Sequence, residues 1–221
     1  MKHPPDWRLY LVTDRGLARG RPITWVVEAA VRGGATAVQL REKSCSTKEF
    51  VQLGRELKKL LAPLDVPLIV NDRVDIALEI GADGVHIGQQ DMDYEGARRL
   101  LGPGAIIGLS IETIEQARAA VSLDVDYLGV GPVFATATKM DAAPPLGVAG
   151  LAEIRAITRQ TIVAIGGIGL EDERQAIDAG ADGVAIVSAI CAAKDPERTA
   201  RELRQVIDGA LESRRERRRA Q

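Results

Sequence analysis

The stretch "GADGVHIG" (Gly81–Gly88) returns almost unchanged as "GADGVAIV" (Gly180–Val187), and a looser version, "GGATAVQL", runs from Gly33 to Leu40. Each opens with a glycine suited to the left-handed position that ends a helix. Each then enters a short β-rich run of the kind that fills a strand covered on both faces. The two close copies start about 100 residues apart, the length of roughly four strand–helix units at about 25 residues each. With the runs between and around them, the strand candidates number eight: "LYLVTD", "AVQLR", "PLIVND", "GVHIG", "AIIGLS", "YLGVG", "TIVAIGG" and "GVAIVS".

Helical patterns separate these runs. "STKEFVQLGRELKKLLAPL" carries a one-sided stripe of Phe50, Leu53, Leu57, Leu60 and Leu61, with Ser46 or Thr47 as its N-cap. "ETIEQARAAV" and "EDERQAIDAG" follow the same pattern. "DPERTARELRQVIDGALESRRERRR" predicts a closing helix opened by Asp195 and Pro196. Strict alternation of strand and helix implies a parallel sheet. An open doubly wound sheet would usually carry a Gly-rich dinucleotide turn after its first strand, and "VTDRGLARG" does not match GxGxxG. About eight units in 221 residues predict a single α/β domain, a compact (β/α)8 TIM barrel. Its expected parts are a barrel core over about 8–190, a closing helix over 195–215 and a basic tail over 216–221.

Composition narrows the function classes. A 46% hydrophobic chain of this length can bury one substantial core. A formal net charge of -2 excludes the global basic field that binds nucleic acid non-specifically, and 3% aromatic residues leave little on which to stack bases. The two cysteines, Cys45 and Cys191, lack a CxxC or Cys/His cluster and are expected to be reduced thiols of a cytoplasmic protein. No apolar run approaches the roughly 20 residues that span a bilayer, and "MKHPPDW" lacks the apolar segment of a signal peptide. No membrane partner is therefore expected. The basic tail "ESRRERRRAQ" is read as a solvated helix end, with cations at the negative pole of the dipole. The sequence does not settle the oligomeric state; a homodimer, common for small barrels of this sort, is one possible assembly.

In such a barrel the chemistry gathers at the carboxyl ends of the strands. Strand two ends in Gln39, Arg41 and Lys43, strand three in Asn71 and Asp72, and strand four runs out to Gln89, Gln90 and Asp91. Strand five ends in Ser110. Burying Arg41 and Lys43 would be expensive, so they belong at a rim where an anion or a neighbouring acid pairs with them. Asp72 and Asp91 could each cap a following helix. Taken together they close adjacent parallel strands, whose axes lie about 4.8 Å apart, and two such carboxylates repel unless a cation separates them. Magnesium, which takes one or two carboxylates plus phosphate oxygens, fits that description without being proved by spacing.

The glycines of "IGGIG" after strand seven and the turn at Ser188 after strand eight form a chemically different anion site, made of backbone amides. Between the two sites lies the long loop "GPVFATATKMDAAPPLG", which offers Thr136, Thr138 and Lys139. Two phosphorylated substrates, or one bis-phosphorylated substrate, would suit such a rim. His86 lies mid-strand and is expected to pack within the barrel. Cys45 has no general base nearby in sequence and is given no nucleophilic role.

The motifs "QLREK", "NDRVDIAL", "GADGVHIGQQD", "GPVFATATKMDA" and "AIGGI" followed by "GADGVAIVSAI" agree in order and spacing with one family. From "LYLVTD" to "VSAI" the chain resembles thiamin phosphate synthase. That resemblance implies an enzyme, a transferase joining an aminopyrimidine diphosphate to a thiazole phosphate, carboxylated or not, with release of pyrophosphate. It implies that Gln39, Leu40, Arg41, Glu42, Lys43, Asn71, Ser110 and Lys139 hold the pyrimidine diphosphate, with Arg41, Lys43, Ser110 and Lys139 as the catalytic set. Thr136, Ala137, Thr138, Gly167, Val187 and Ser188 would hold the thiazole phosphate, and Asp72 and Asp91 would bind the cofactor Mg2+. After Ser110 the chain reads Ile111-Glu112-Thr113, where relatives often carry a Thr-His pair. A related thiazole tautomerase would use a histidine in that region, and none is present. A non-catalytic paralogue could keep its phosphate sites while losing the acid pair, and both acids are retained.

Overall fold

Alternating strand and helix close a ring. In a computed structural model, which describes residues 5–136, 138, 143–170 and 172–220, eight parallel strands pair in sequence order and β8 returns to β1. The strands are β1 (Leu9–Val12), β2 (Ala37–Leu40), β3 (Leu68–Asn71), β4 (Gly84–Ile87), β5 (Ile106–Ile111), β6 (Tyr127–Val130), β7 (Ile162–Ile165) and β8 (Gly183–Ile186). Seven lie within runs expected from the sequence, and β5 extends one residue past its run, to Ile111. The barrel is wrapped by α1 (Ile23–Arg32), α2 (Thr47–Leu61), α3 (Val74–Ile80), α4 (Tyr94–Leu101), α5 (Ile114–Ala120), α6 (Gly147–Ile157), α7 (Glu173–Asp178), the short α8 (Ser188–Cys191) and α9 (Pro196–Arg219).

Strand alternation sorts the side chains into two cores. Leu9, Leu11, Val38, Leu40, Leu68 and Val70 point outward into the layer under the helices. Trp7, Tyr10, Ala37, Ile69, Tyr127, Val163 and Ala185 form a smaller cluster inside the barrel. Trp7 and Tyr127 lie with ring centroids 4.2 Å apart, and Tyr10 meets both rings edge-on. The lower half of the barrel is thereby filled, and the open volume lies above it.

The helix ends follow from their residues. Ser46 caps α2 in a full capping box with Glu49. Asp195 and Pro196 open α9 as N-cap and first residue. That helix runs on through Arg219, so residues 216–219 of the expected tail are helical, anchored below by Arg214 on Asp182 and Arg217 on Asp178. Gly81 ends α3 in the left-handed region at φ 63°.

The repeated aspartate after that glycine has its own purpose. At the amino-terminal end of the barrel, the residue before each even strand reaches back to the first or second N–H of the preceding odd strand. Thr36 Oγ1 accepts from Leu9 N at 3.2 Å, Asp83 from Leu68 N at 2.9 Å, Asp126 from Ile107 N at 2.8 Å and Asp182 from Ile162 N at 3.0 Å. Each of the three acids also meets a cation: Lys58 at 2.6 Å, Arg98 at 3.3 Å and Arg155 at 3.1 Å. The repeat supplies acceptors to N–H groups at the starts of the odd strands.

Candidate active site

A cleft of about 560 Å3 opens at the carboxyl ends of the strands. Inward-facing strand positions and the residues just beyond them line it. Gln39 and Arg41 therefore face the cleft, whereas Leu40 between them lies fully buried in the outer core. Glu42 lies outside the lining, its carboxylate accepting from Arg15 Nε at 3.0 Å. Arg41 is held by Asp14, Nη1 to Oδ2 at 3.4 Å, and its backbone N–H donates to Thr13 Oγ1 at 3.0 Å. Lys43 is exposed and lines the same wall.

The acid pair sits beside these cations. Asp72, immediately past β3, adopts a left-handed backbone at φ 61°, and its N–H donates to the His86 carbonyl at 2.8 Å. A non-glycine residue there carries strain, which Asp tolerates better than most. Asp91 is not the cap of α4: Asp93 fills that position, and Asp91 Oδ2 accepts from Gly88 N at 2.7 Å. Nor does the Asp72 side chain cap α3, whose N-cap is Arg73. Both acids are thus left for the cleft. Burial, the negative charge of Asp91 and a hydrogen bond with that residue push the Asp72 carboxyl up to about 6, against the opposing pull of Lys43 and Arg41. Two neighbouring acids of this kind could hold a cation between them. Among the described residues no cluster of three or more His, Cys, Asp or Glu side chains could hold a metal. An ion here would draw its remaining ligands from water and substrate oxygens, the habit of Mg2+.

On the opposite wall the lining is mainly backbone. Gly166 and Gly167 follow β7 with φ of 92° and 69°. A Cβ on Gly166 would lie 2.6 Å from Pro132 Cα, and one on Gly167 would lie 2.5 Å from the Ala135 carbonyl oxygen. The glycines thus let the β7 turn pack against the loop after β6, which begins with a cis Gly131–Pro132 bond. Val187 and Ser188 complete this wall at the start of α8. Thr136 and Thr138 line the cleft, and the Thr138 N–H donates to Thr136 Oγ1 at 3.2 Å. Ala137 and Lys139 lie outside the described residues.

The structure therefore brings Gln39, Arg41, Lys43, Asn71, Asp72, Asp91, Ser110, Thr136, Thr138, Gly167, Val187 and Ser188 to one cleft. Sequence reasoning missed its floor. Tyr10, His86 and Tyr127 also line it, joined to Gln39 and Ser110 by hydrogen bonds. Burial pushes the His86 imidazole down to about 4, opposed by the charge of Asp91, so the ring is neutral at pH 7. Burial likewise pushes both tyrosine hydroxyls up. The available signal was parity: Tyr10, His86 and Tyr127 share the inward register of Gln39 and Ser110.

Comparisons with known proteins fit this cleft. The family model described as "Thiamine monophosphate synthase" matches residues 9–190. The chain is 54% identical to the thiamine-phosphate synthase of Albidiferax ferrireducens, over 91% of this chain and 92% of that one. It is 52% identical to that of Chloroflexus aurantiacus, over 93% and 94%. A solved thiamine phosphate pyrophosphorylase from Pyrococcus furiosus superposes with a TM-score of 0.86 at 38% identity, covering 94% of this chain and 98% of that one. A 3-hexulose-6-phosphate synthase, at 18% identity and a TM-score of 0.67, shares the fold alone. The chain belongs to the thiamine monophosphate synthase family.

Proposed function

We propose that this protein joins an aminopyrimidine carrying a diphosphate to a thiazole carrying a phosphate, forming thiamin phosphate and releasing pyrophosphate. The observation that carries the reading is the pairing of two unlike anion sites across one cleft: Asp72, Asp91, Arg41 and Lys43 on one wall, glycine and helix-start backbone on the other. In the reaction the bond between the pyrimidine methylene and the diphosphate oxygen breaks, and the electron pair leaves with diphosphate. The electron-rich ring stabilises the carbocation-like centre, and the thiazole nitrogen lone pair forms the new C–N bond.

No protein nucleophile is needed. The residues bind and align two rings and stabilise a leaving anion. Arg41 offers a planar fork to phosphate oxygens, and Lys43 a point charge. Asp72 and Asp91 would hold Mg2+, which when bound would neutralise the departing diphosphate. Gly167, Val187 and Ser188 would seat the thiazole phosphate, with Thr136 and Thr138 beside it. Mixing purified protein with both phosphorylated rings, with and without Mg2+, tests this reading. Thiamin phosphate and pyrophosphate are expected in equal amounts only with the metal. If neither product forms under any condition, the reading is wrong.

A further inference from the structure

A single line of hydrogen bonds crosses the floor of the cleft, from β2 to β5 through the barrel axis. Gln39 Nε2 donates to Tyr10 Oη at 3.0 Å, and Tyr10 Oη lies 2.9 Å from Tyr127 Oη. Tyr127 Oη lies 2.9 Å from His86 Nδ1, and His86 Nε2 lies 2.8 Å from Ser110 Oγ. The fold gives up two side chains to house this line. A Cβ on Gly108 would lie 2.1 Å from the Tyr127 ring, and one on Gly129 would lie 2.7 Å from the His86 ring.

The line has a direction, because each hydroxyl carries one proton. Tyr10 accepts from Gln39, and passing its own proton to Tyr127 is the arrangement that leaves no buried hydroxyl proton without an acceptor. The Tyr127 proton then goes to Nδ1 of His86. A neutral imidazole that accepts at Nδ1 carries its proton at Nε2 and donates it to Ser110. In that arrangement His86 does not receive the Ser110 proton. Among the described residues Ser110 Oγ has no other hydrogen-bond partner, and it faces the cleft.

We infer that Tyr10, Tyr127 and His86 are positioning residues that hold the Ser110 hydroxyl as a donor toward the departing diphosphate. The inference rests on the function proposed above, which supplies an acceptor-only anion beside Ser110. Ser110 is the member of the line that meets the leaving diphosphate. The buried residues behind it fix which way its proton points. The opposite sense, with Ser110 donating to His86 and the Gln39 amide reversed, would leave Ser110 presenting only lone pairs to an anion. The donor is in place before the ligand arrives, so its benefit grows as charge develops on the leaving oxygen.

The wild-type protein tests the direction without substrate. It has only two histidines, His3 and His86, so 15N-histidine NMR resolves the tautomer. The expected state is Nε2 protonated and Nδ1 bare; a proton on Nδ1 would overturn the inference while leaving the enzymatic reading intact. Kinetics test the consequence. Tyr127→Phe keeps the ring and removes the donor to Nδ1. It should lower kcat about tenfold, the worth of one hydrogen bond, with KM for both substrates nearly unchanged. Ser110→Ala should cost at least as much. The double variant should be no slower than Ser110→Ala, because both changes remove the same donor. His86→Gln, which keeps a donor near the Nε2 position, should retain more kcat than His86→Asn. Additive losses in the double variant, or equal losses in the two His86 variants, would overturn the relay. If Tyr127→Phe fails to fold, the wild-type tautomer alone decides.

Discussion

The two ends of the barrel use the same residue types to opposite effect. At the amino-terminal end Asp83, Asp126 and Asp182 each accept from a strand N–H and from a Lys or Arg. At the carboxyl end Asp72 and Asp91 confront each other, and one of them stands in a strained backbone conformation. The first arrangement satisfies charge within the protein. The second leaves the Asp72 carboxyl raised by burial and by the neighbouring acid. A barrel stabilised at one end can tolerate such an unsettled cluster at the other.

The largest effect should come from neutralising the upper acids. Asp91→Asn and Asp72→Asn are each expected to lower kcat/KM on the order of a thousandfold, the scale seen when a charge-stabilising group is removed from a developing anion. Stability should move the other way. With its carboxyl held at about 6, well above the ordinary aspartate value of 3.8, Asp72 ionises at a cost in the metal-free fold. Asp72→Asn should raise the metal-free melting temperature at pH 8, by roughly 2–4 °C per kcal/mol relieved. A variant both inactive and less stable would show that the acid pair is structural, like those at the base.

The converse substitution belongs to the lower end. Asp83→Ala leaves the Leu68 N–H and the Lys58 ammonium without their acceptor, and should cost about 2–3 kcal/mol of unfolding free energy by denaturant titration. Activity assayed well below the melting temperature should change less than about twofold, because the lower face of the barrel carries stability rather than chemistry. A large fall in kcat would mean that the two ends are coupled.

This asymmetry also marks what was legible in the sequence. The strands were, because a doubly covered parallel strand is a short apolar run between a glycine and a polar end. So were Arg41, Lys43, Asp72 and Asp91, since charges directly after such runs have few other places to go. "GADG" was legible only as a helix stop; that its Asp ties down the neighbouring strand depends on a partner about 15–20 residues back, which no local pattern announces. Leu40 and Glu42 fell inside a contiguous motif, yet parity sends Leu40 outward, and Arg15, 27 residues earlier, takes Glu42. The floor formed by Tyr10, His86 and Tyr127 looked like ordinary core because inward register and burial are shared by packing and polar groups alike. Only the distances between hydroxyl and ring nitrogen separate the two.

A pH series sharpens the contrast further. Because the folded-state value for Asp72 is raised, its contribution to metal-free stability is fully present below about pH 4 and is lost as pH rises through about 6. An ion bound there must displace that proton at lower pH. The apparent Mg2+ affinity, followed by thermal shift, should therefore hold above pH 7 and weaken by up to about tenfold per unit below 6. In Asp72→Asn the slope should flatten. An unchanged slope would move the proton competition to another group.

The smallest effect is expected on the wall that binds through its backbone. If the thiazole phosphate is met by N–H groups at Gly167 and at the start of α8, the hydroxyl of Ser188 adds one uncharged contact to a site already built. Ser188→Ala removes the hydroxyl and keeps the amide, so KM for the thiazole phosphate should rise less than about fivefold, within the range of one neutral hydrogen bond. KM for the pyrimidine diphosphate should not move, since the site proposed for that substrate, at Arg41 and Lys43, lies across the cleft. A rise beyond about a hundredfold would require the hydroxyl to carry the contact. The wall would then be a side-chain site like its opposite, and the division of the cleft into a charged half and an amide half would fail.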